Sequence, residues 1–364
     1  MTRPPLTIRA LRSTAVEVPM KHVLGTSRAA LRAAPLLLID LETEEGVTGH
    51  AYLFCYLREA APAIATMVAA VEALVKGQRV DPAAIWKALE KRFTLIGVQG
   101  LVRMAMSGLD VACWDALAKA QGKPLVECLG AASRAVPAYN SNGLGLMPLP
   151  ALAREAGELL EGGFGGVKLR LGYPTLAEDL AAVRAVRERL PQGVALMVDY
   201  NQALSVEEAL ERGRALDGEG IYWIEEPIRH DDYAGAARLA RELATPIQIG
   251  ENFSQPYAMQ EALRQEACDF VMPDLERIGG VTGWTRAAEI AEAHGVALSS
   301  HLFPEASSHL LSASPTAHWL EFVDWASPLL REPATIVDGR MKPSATPGLG
   351  LEWDAAAVER FRMK

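Results

Sequence analysis

Near the N-terminus, apolar and polar positions alternate through "LTIRALRSTAVEV" and again through "PLLLIDLETEEGVTGHAYL", with a turn at Glu45-Gly46. A period of two reads as strands with one buried face. The period then lengthens. Leu101, Ala105, Leu109, Ala112, Ala116 and Leu117 recur at helical spacing, and Gly122-Lys123-Pro124 stops the run. That stripe is a core-facing helix. From about residue 135 short apolar runs alternate with amphipathic stretches such as "LAEDLAAVRAVRERL" and "SVEEALERGRALDGEG". The runs are "AVPAYNS", "GGVKLRL", "VALMVDYN", "IYWIEEP", "PIQIGEN", "DFVMPD", "VALSSHL" and "HWLEF". Eight such strands with helices between them predict an α/β fold closed into a parallel barrel rather than an open sheet. Residues 1–130 form the expected α+β domain and 131–331 the barrel, with 332–364 folding back on the first domain.

Composition narrows the field. The chain has 364 residues, half of them hydrophobic and 22% charged, enough for a large buried core. A net charge of −9 argues against nucleic acid or an anionic membrane as a general partner. "MTRPPLTIRALRS" lacks an apolar leader and no charge-free run reaches membrane-spanning length, so a cytoplasmic location is expected. Cys55, Cys113, Cys128 and Cys268 are scattered without a CxxC pair, which predicts reduced, mostly core thiols.

The chemistry sits in a ladder of acids. Asp199, Glu225 and Glu251 stand 26 residues apart, each at the C-terminal end of a successive apolar run. In a (β/α)8 barrel those ends converge on one mouth. Three carboxylates there repel one another unless a cation holds them, and all-oxygen ligation suits Mg2+ or Mn2+. Asp274 and His301 end the next two runs, an acid beside an imidazole and so a general acid/base pair. His309 and His318 lack such a partner and take structural roles. Glu321 ends the eighth run, where an acid is either a proton donor or a surface residue. In "GGVKLRLGYP", Lys168 and Arg170 share one strand face, costly to bury unless an anion waits there. Cations on one side of a metal and an imidazole on the other suit removal of a proton next to a carboxylate. The enolate-like intermediate then needs at least several kcal/mol of stabilisation.

"VDYNQ", "WIEEP", "GEN", "MPD", "IGGVTGW", "SSHLF" and "PTAHWLE" stand in order along the chain, as do "LIDL", "GHAYLF" and "GLDVACWDALAK" before them. This set resembles the enolase superfamily, and within it the mandelate racemase-like branch. The resemblance implies a modified TIM (β/α) barrel under an N-terminal α+β capping domain. It implies Asp199, Glu225 and Glu251 as Mg2+ ligands with Asn201 as a polar neighbour, and Asp274 with His301 as the catalytic dyad. Lys168 matches the first lysine of a Lys-x-Lys motif, Glu321 an acid that hydrogen-bonds the substrate carboxylate, and Ser141 a hydroxyl on the same group. Two loops, about residues 19–32 and 52–58, are implied to close the site, and the assembly to be a homo-oligomer. The first loop carries Lys21, His22, Arg28 and Arg32, read equally as a solvated basic loop or as inward cations for a polar substrate. Tyr56 in the second is either packing or a substrate contact.

Arg170 departs from the motif, because a racemase of this type uses the second lysine as a base. An arginine in a protein does not give up its proton, so Arg170 is read as a fixed cation. With His301 the one strong base, the reading leans to dehydration of an acid-sugar carboxylate. The alternatives are a racemase or epimerase of a 2-hydroxy acid and, remotely, a non-catalytic barrel.

Overall fold

The N-terminal alternating segments pair as an antiparallel meander, β1 (Ile8–Gly25), β2 (Ala30–Thr43) and β3 (Thr48–Phe54). Helices α1 (Ala60–Val75), α2 (Pro82–Phe93) and α3 (Gly100–Ala120) follow, with α1 against β1 and α3 against β3. The computed structural model describes residues 5–364, so the first four residues of the expected N-terminal domain lie outside the described residues. The apolar stripe of α3 is buried from Ala105 to Leu117 as its spacing predicts, whereas Leu101 in the first turn is exposed, and the polar Arg103, Asp110 and Asp115 are buried too.

All eight short runs after residue 135 are strands: β4 (Val136–Asn140), β5 (Gly166–Arg170), β6 (Ala195–Asp199), β7 (Ile224–Glu225), β8 (Ile247–Ile249), β9 (Phe270–Val271), β10 (Ala297–Leu298) and β11 (Leu320–Phe322). They pair in parallel in sequence order from β4 to β10, and β11 lies parallel on the other side of β4. The ends of this path meet. Leu298 N donates to Thr316 O at 2.9 Å, His318 N to Leu298 O at 2.8 Å and Ser300 N to Trp319 O at 3.0 Å. Capping boxes on Thr175 with Glu178 and Ser205 with Glu208 start the helices after β5 and β6. Each satisfies amide groups that the first turn leaves open. His318 sits among Tyr222, Trp223, Phe270 and Trp319, its Nε2 2.7 Å from the Tyr222 hydroxyl. Buried His309 accepts from Val126 N at 3.2 Å.

The C-terminal segment corrects one expectation. It folds first onto the barrel, where β12 (Ile336–Val337) and β13 (Arg340–Met341) form a hairpin and β13 pairs antiparallel with β4. Only afterwards does it return to the meander. Leu349 N donates to Asp115 Oδ1 at 2.6 Å, Trp353 Nε1 to Asp40 Oδ1 at 2.8 Å and Met363 N to Ala15 O at 2.9 Å. The strand edge left open on β4 explains the detour, since unpaired backbone groups at an edge need partners. The two implied closing loops are also shorter than expected. Residues 19–25 and 30–32 belong to β1 and β2, leaving Thr26–Ala29 as the turn of a projecting hairpin, and residues 52–54 belong to β3. The resemblance implied loops, but the ladder continues through these residues because pairing satisfies their backbone whatever the side chains.

Asp110 joins the two halves. Its carboxylate accepts from Thr282 Oγ1 at 2.5 Å and Thr282 N at 2.9 Å, at the start of the helix Gly280–His294. The fit demands glycine at residue 280, whose φ is +68° and where a Cβ would lie 2.5 Å from Asp110 Oδ2. Burial pushes the Asp110 carboxyl up to about 7, against the opposing pull of its bonds to Thr282. The folded state therefore binds this proton more tightly than the unfolded chain does. Its stabilising share is complete below the unfolded carboxylate range near 4 and is lost as pH rises through about 7. Urea unfolding of Asp110→Asn should show a shallower loss of stability than wild type across that window, by about 1–3 kcal/mol. Parallel curves for the two proteins would rule out the linkage.

Candidate active site

Parallel register delivers the predicted side chains to one rim. Arg170 stands level with Asp199 and Asp199 with Glu225 on the adjacent strands. Glu251 follows Gly250, whose φ of +146° and close approach to Met272 N, 2.8 Å from an added Cβ, exclude a side chain. Asp274 and His301 form a parallel bridge, and Glu321 lies on β11. Beyond β6 and β10 the chain turns sharply through consecutive left-handed residues, Asn201-Gln202 and Leu302-Phe303. Such conformations cost non-glycine residues about 1–3 kcal/mol each and cluster where a site over-determines the backbone.

Lys168 is the hub of the mouth. Its Nζ is bonded to Glu225, lies 2.8 Å from Glu321 Oε1 and 3.4 Å from Asp199 Oδ2, and is fully buried. Burial works against the ammonium, but Glu225 and Glu321 outweigh it and hold its pKa well above the usual lysine range. Glu225 also accepts from Trp223 Nε1 at 3.1 Å and Gln248 Nε2 at 3.2 Å. Burial nevertheless drives its carboxyl up to about 8, against the pull of Lys168.

The dyad is tightly built. His301 Nδ1 lies 2.6 Å from Asp274 Oδ2, while Asp274 Oδ1 accepts from Glu276 N at 2.8 Å and Arg277 N at 3.0 Å. With Asp274 Oδ1 committed to the two backbone amides, Oδ2 is the acceptor that Nδ1 faces, which assigns the Nδ1 proton to the histidine and turns Nε2 outward. Nε2 faces Glu251 Oε2 at 3.2 Å and Glu321 Oε2 at 3.9 Å. Burial disfavours the imidazolium, but these two acids raise its pKa well above the ordinary value.

Arg170 is held by its surroundings. Its Nη1 donates to Ser141 O at 2.7 Å and Gly143 O at 2.9 Å, and its Nη2 to Ser141 Oγ at 2.9 Å. Its Nε is buried without a partner. The Ser141 hydroxyl donates to Glu321 Oε1 at 2.7 Å, so Ser141 joins the cation to the acid and is itself fully buried. Asn201 donates its amide and Nδ2 to Asp199 at 2.8 and 3.0 Å, and its Oδ1 is buried without a partner.

The three acids of the ladder share the mouth, yet among the described residues no three such groups close round a common point. Asp199 and Glu225 are drawn to Lys168, and Glu251 to His301 and Arg277. Protein cations thus occupy the oxygens that repulsion would otherwise drive apart. Carboxylates still outnumber cations here once Glu226 is added, and Glu226 is raised well above the usual range by burial and by Glu251. Buried acidic oxygens in excess, with an orphaned amide oxygen beside them, fit a hard divalent cation by donor chemistry.

Several residues escaped sequence reasoning. Arg277 donates to Glu251 O at 3.1 Å and Asn252 Oδ1 at 2.8 Å, and its guanidinium lies 4.5 Å over the Tyr56 ring. Asn252 in turn donates to both Glu226 oxygens. Their signals were adjacency alone: a second acid in "WIEEP", an Asn in "GEN" and an Arg three residues after Asp274. Tyr56 lines the cavity while packing on Phe54 and Arg277. Of the basic hairpin residues only Arg28 lines it. Lys21 and Arg32 are exposed, and His22 pairs with Glu155. The cavity encloses about 300 Å3. Its lining combines Lys168, Arg170, Asp199, Glu251, His301 and Glu321 with the apolar Leu24, Leu31, Phe54, Leu57, Leu302 and Trp325.

Comparison with known proteins agrees with this architecture. Residues 9–130 match the family model described as "Mandelate racemase / muconate lactonizing enzyme, N-terminal domain" and 151–357 that described as "Enolase C-terminal domain-like". L-talarate/galactarate dehydratase of Salmonella typhimurium is 38% identical over 257 residues, 70% of this chain and 65% of that enzyme. The matched stretch is thus just under two thirds of that relative's length. A crystal structure of an enolase from alpha proteobacterium BAL199 with bound Mg is 43% identical at a TM-score of 0.96, covering 98% of this chain and all of the other. A Bradyrhizobium enolase complexed with magnesium and mandelic acid is 40% identical at a TM-score of 0.95, with complete coverage of both chains. Meander, barrel and ordered motifs together place this chain in the mandelate racemase/muconate lactonizing enzyme family of the enolase superfamily.

Proposed function

We propose that the protein is a Mg2+-dependent enzyme that removes the proton α to the carboxylate of a 2-hydroxy acid and expels a β-hydroxyl as water. The observation that carries this reading is the disposition of cations and base. His301 is the one imidazole among the described residues lining the cavity, and Arg170 is an arginine fixed by carbonyl groups. Asp199, Glu225 and Glu251 would hold the ion. When bound, it supplies positive charge against the substrate carboxylate as negative charge builds there.

The chain's own groups do the rest. Asp274 keeps the His301 Nδ1 proton in place, so Nε2 accepts the α-proton once Glu251 and Glu321 turn their charge elsewhere. The C–H pair enters the enolate, then forms a double bond as the β-carbon to oxygen bond breaks. His301 returns its proton to the departing hydroxide, and the resulting enol tautomerises to a 2-keto acid. Lys168, Arg170 and Glu321 fix the carboxylate end, with Ser141 linking the last two. The Salmonella relative's dehydratase activity supports this outcome.

A second reading is racemisation or epimerisation of a 2-hydroxy acid. It is favoured by the apolar lining residues Leu24, Leu31, Phe54, Leu57, Leu302 and Trp325, suited to an aliphatic or aromatic substituent, and by the Bradyrhizobium relative's mandelic acid. Either reaction belongs in the proposal of a cytoplasmic homo-oligomer. Among the described residues no helix is long and apolar enough to cross a membrane. The exposed, adjacent Leu95 and Ile96 suit burial against another copy.

A panel of diastereomeric acid sugars and 2-hydroxy acids, incubated in D2O with Mg2+, separates the readings. Keto-acid formation supports the lyase, deuterated and inverted hydroxy acid the racemase, and no exchange with any member counts against both. His301→Asn should lower α-proton exchange by at least about 1,000-fold while keeping the Mg2+-induced rise in Tm. Loss of that rise would show that the histidine belongs to the ion's site instead. Arg170→Lys should gain measurable inversion, because a lysine beside a second cation can shed its proton. Polarimetry reads the gain.

A further inference from the structure

The β1–β2 hairpin forms one wall of the cavity, contributing Leu24, Thr26, Arg28, Ala29 and Leu31. Two contacts hold its tip. Ser27 Oγ donates to Tyr200 O at 3.0 Å, and Arg28 donates to the carbonyls of Asn201 and Gln202. The contacts nearer its base are of another kind. Between Pro19, paired with Ala33, and Leu24, paired with Leu31, the register shifts, so that Met20–Val23 stand opposite Arg32 alone. Such a bulge re-aims side chains out of the ladder. Here it carries His22, whose Nδ1 lies 2.9 Å from Glu155 Oε1, with 8% and 13% of the two side chains exposed.

Glu155 is already anchored. It belongs to the helix Leu149–Glu158, and its second oxygen accepts from Leu144 N at 2.6 Å. Gly143, with φ of +60°, lies so close that an added Cβ would sit 2.7 Å from the Glu155 carboxyl. This segment also holds Arg170, through the carbonyls of Ser141 and Gly143 and through Arg170 N donating to Leu144 O at 2.9 Å. Leu146 N donates to Gly25 O at 3.0 Å, completing the junction. A continuous set of bonds therefore runs from Arg170 inside the cavity, through residues 141–146 and Glu155, to His22 on the hairpin.

We infer that His22 and Glu155 form a latch that holds the hairpin closed over the cavity, acting as positioning residues. The inference stands apart from the choice between lyase and racemase, since it concerns the wall and not the chemistry. Hydrogen exchange of the full-length protein tests it without any ligand. His22→Ala should speed amide exchange across residues 24–31 by roughly 10-fold, the worth of a charge-assisted hydrogen bond. His22→Asn, which keeps a donor where Nδ1 was, should restore exchange to within about twofold of wild type. Lys21→Ala, on the same bulge, should leave it unchanged, and β5 and β6 should exchange equally in every variant. Unchanged exchange in His22→Ala, equal acceleration in the barrel strands, or failure of Asn to rescue would each overturn the latch.

Discussion

A barrel mouth that gathers this many carboxylates stands or falls on how their mutual repulsion is met. Here most of the counter-charge comes from one fully buried ammonium, Lys168, set between acids of three different strands, while His301 and Arg277 meet Glu251. The position of Lys168 two residues before Arg170 on β5 is what lets one strand supply both the neutralising cation and a fixed guanidinium. Removing one member of a buried ion cluster leaves the others uncompensated, at a cost of about 3–5 kcal/mol in comparable pairs. The surrounding scaffold is correspondingly stiff. Glycine is enforced before Glu251, left-handed residues follow β6 and β10, and Asp274 is pinned by two backbone amides.

Much of this was legible from residue order, and the reason is geometric. A parallel barrel repeats one strand and one helix, so regular spacing brings Asp199, Glu225 and Glu251 to one rim, although Asp199 and Glu225 stand level while Glu251 lies three residues beyond Gln248, the register partner of Glu225. Each expected strand formed because short apolar runs bounded by capped helices leave little choice of element. Residues whose role depends on a side chain's reach across the fold were not legible. Arg277 sits on a single helical turn, and nothing local says that it spans to Glu251, Asn252 and Tyr56. The segment carrying His22 and Arg28 was expected to be a loop from the resemblance alone, whereas its pairing with β2 is set by backbone partners.

The cavity draws its lining from both parts of the chain. The barrel rim supplies most of the charged residues, and the hairpin and the turn after β3 add Leu24, Arg28, Leu31 and Leu57. Such a division lets one chemistry serve many substrates by changing loops over an unchanged rim.

The path of the tail has a consequence for how the molecule is assembled. Met363 bonds to Ala15 of β1 and Leu349 to Asp115 of α3, so the N-terminal domain is completed by residues that follow the whole barrel in the chain. During synthesis Ala15 O and one oxygen of Asp115, whose other oxygen already meets His50 N and Lys119, wait for these partners until the barrel has emerged. Long-range closure of this kind slows folding, because chain entropy is lost before the contacts that compensate it can form. It also couples the two parts, so the N-terminal domain gains its full stability only on a chain whose barrel is already in place.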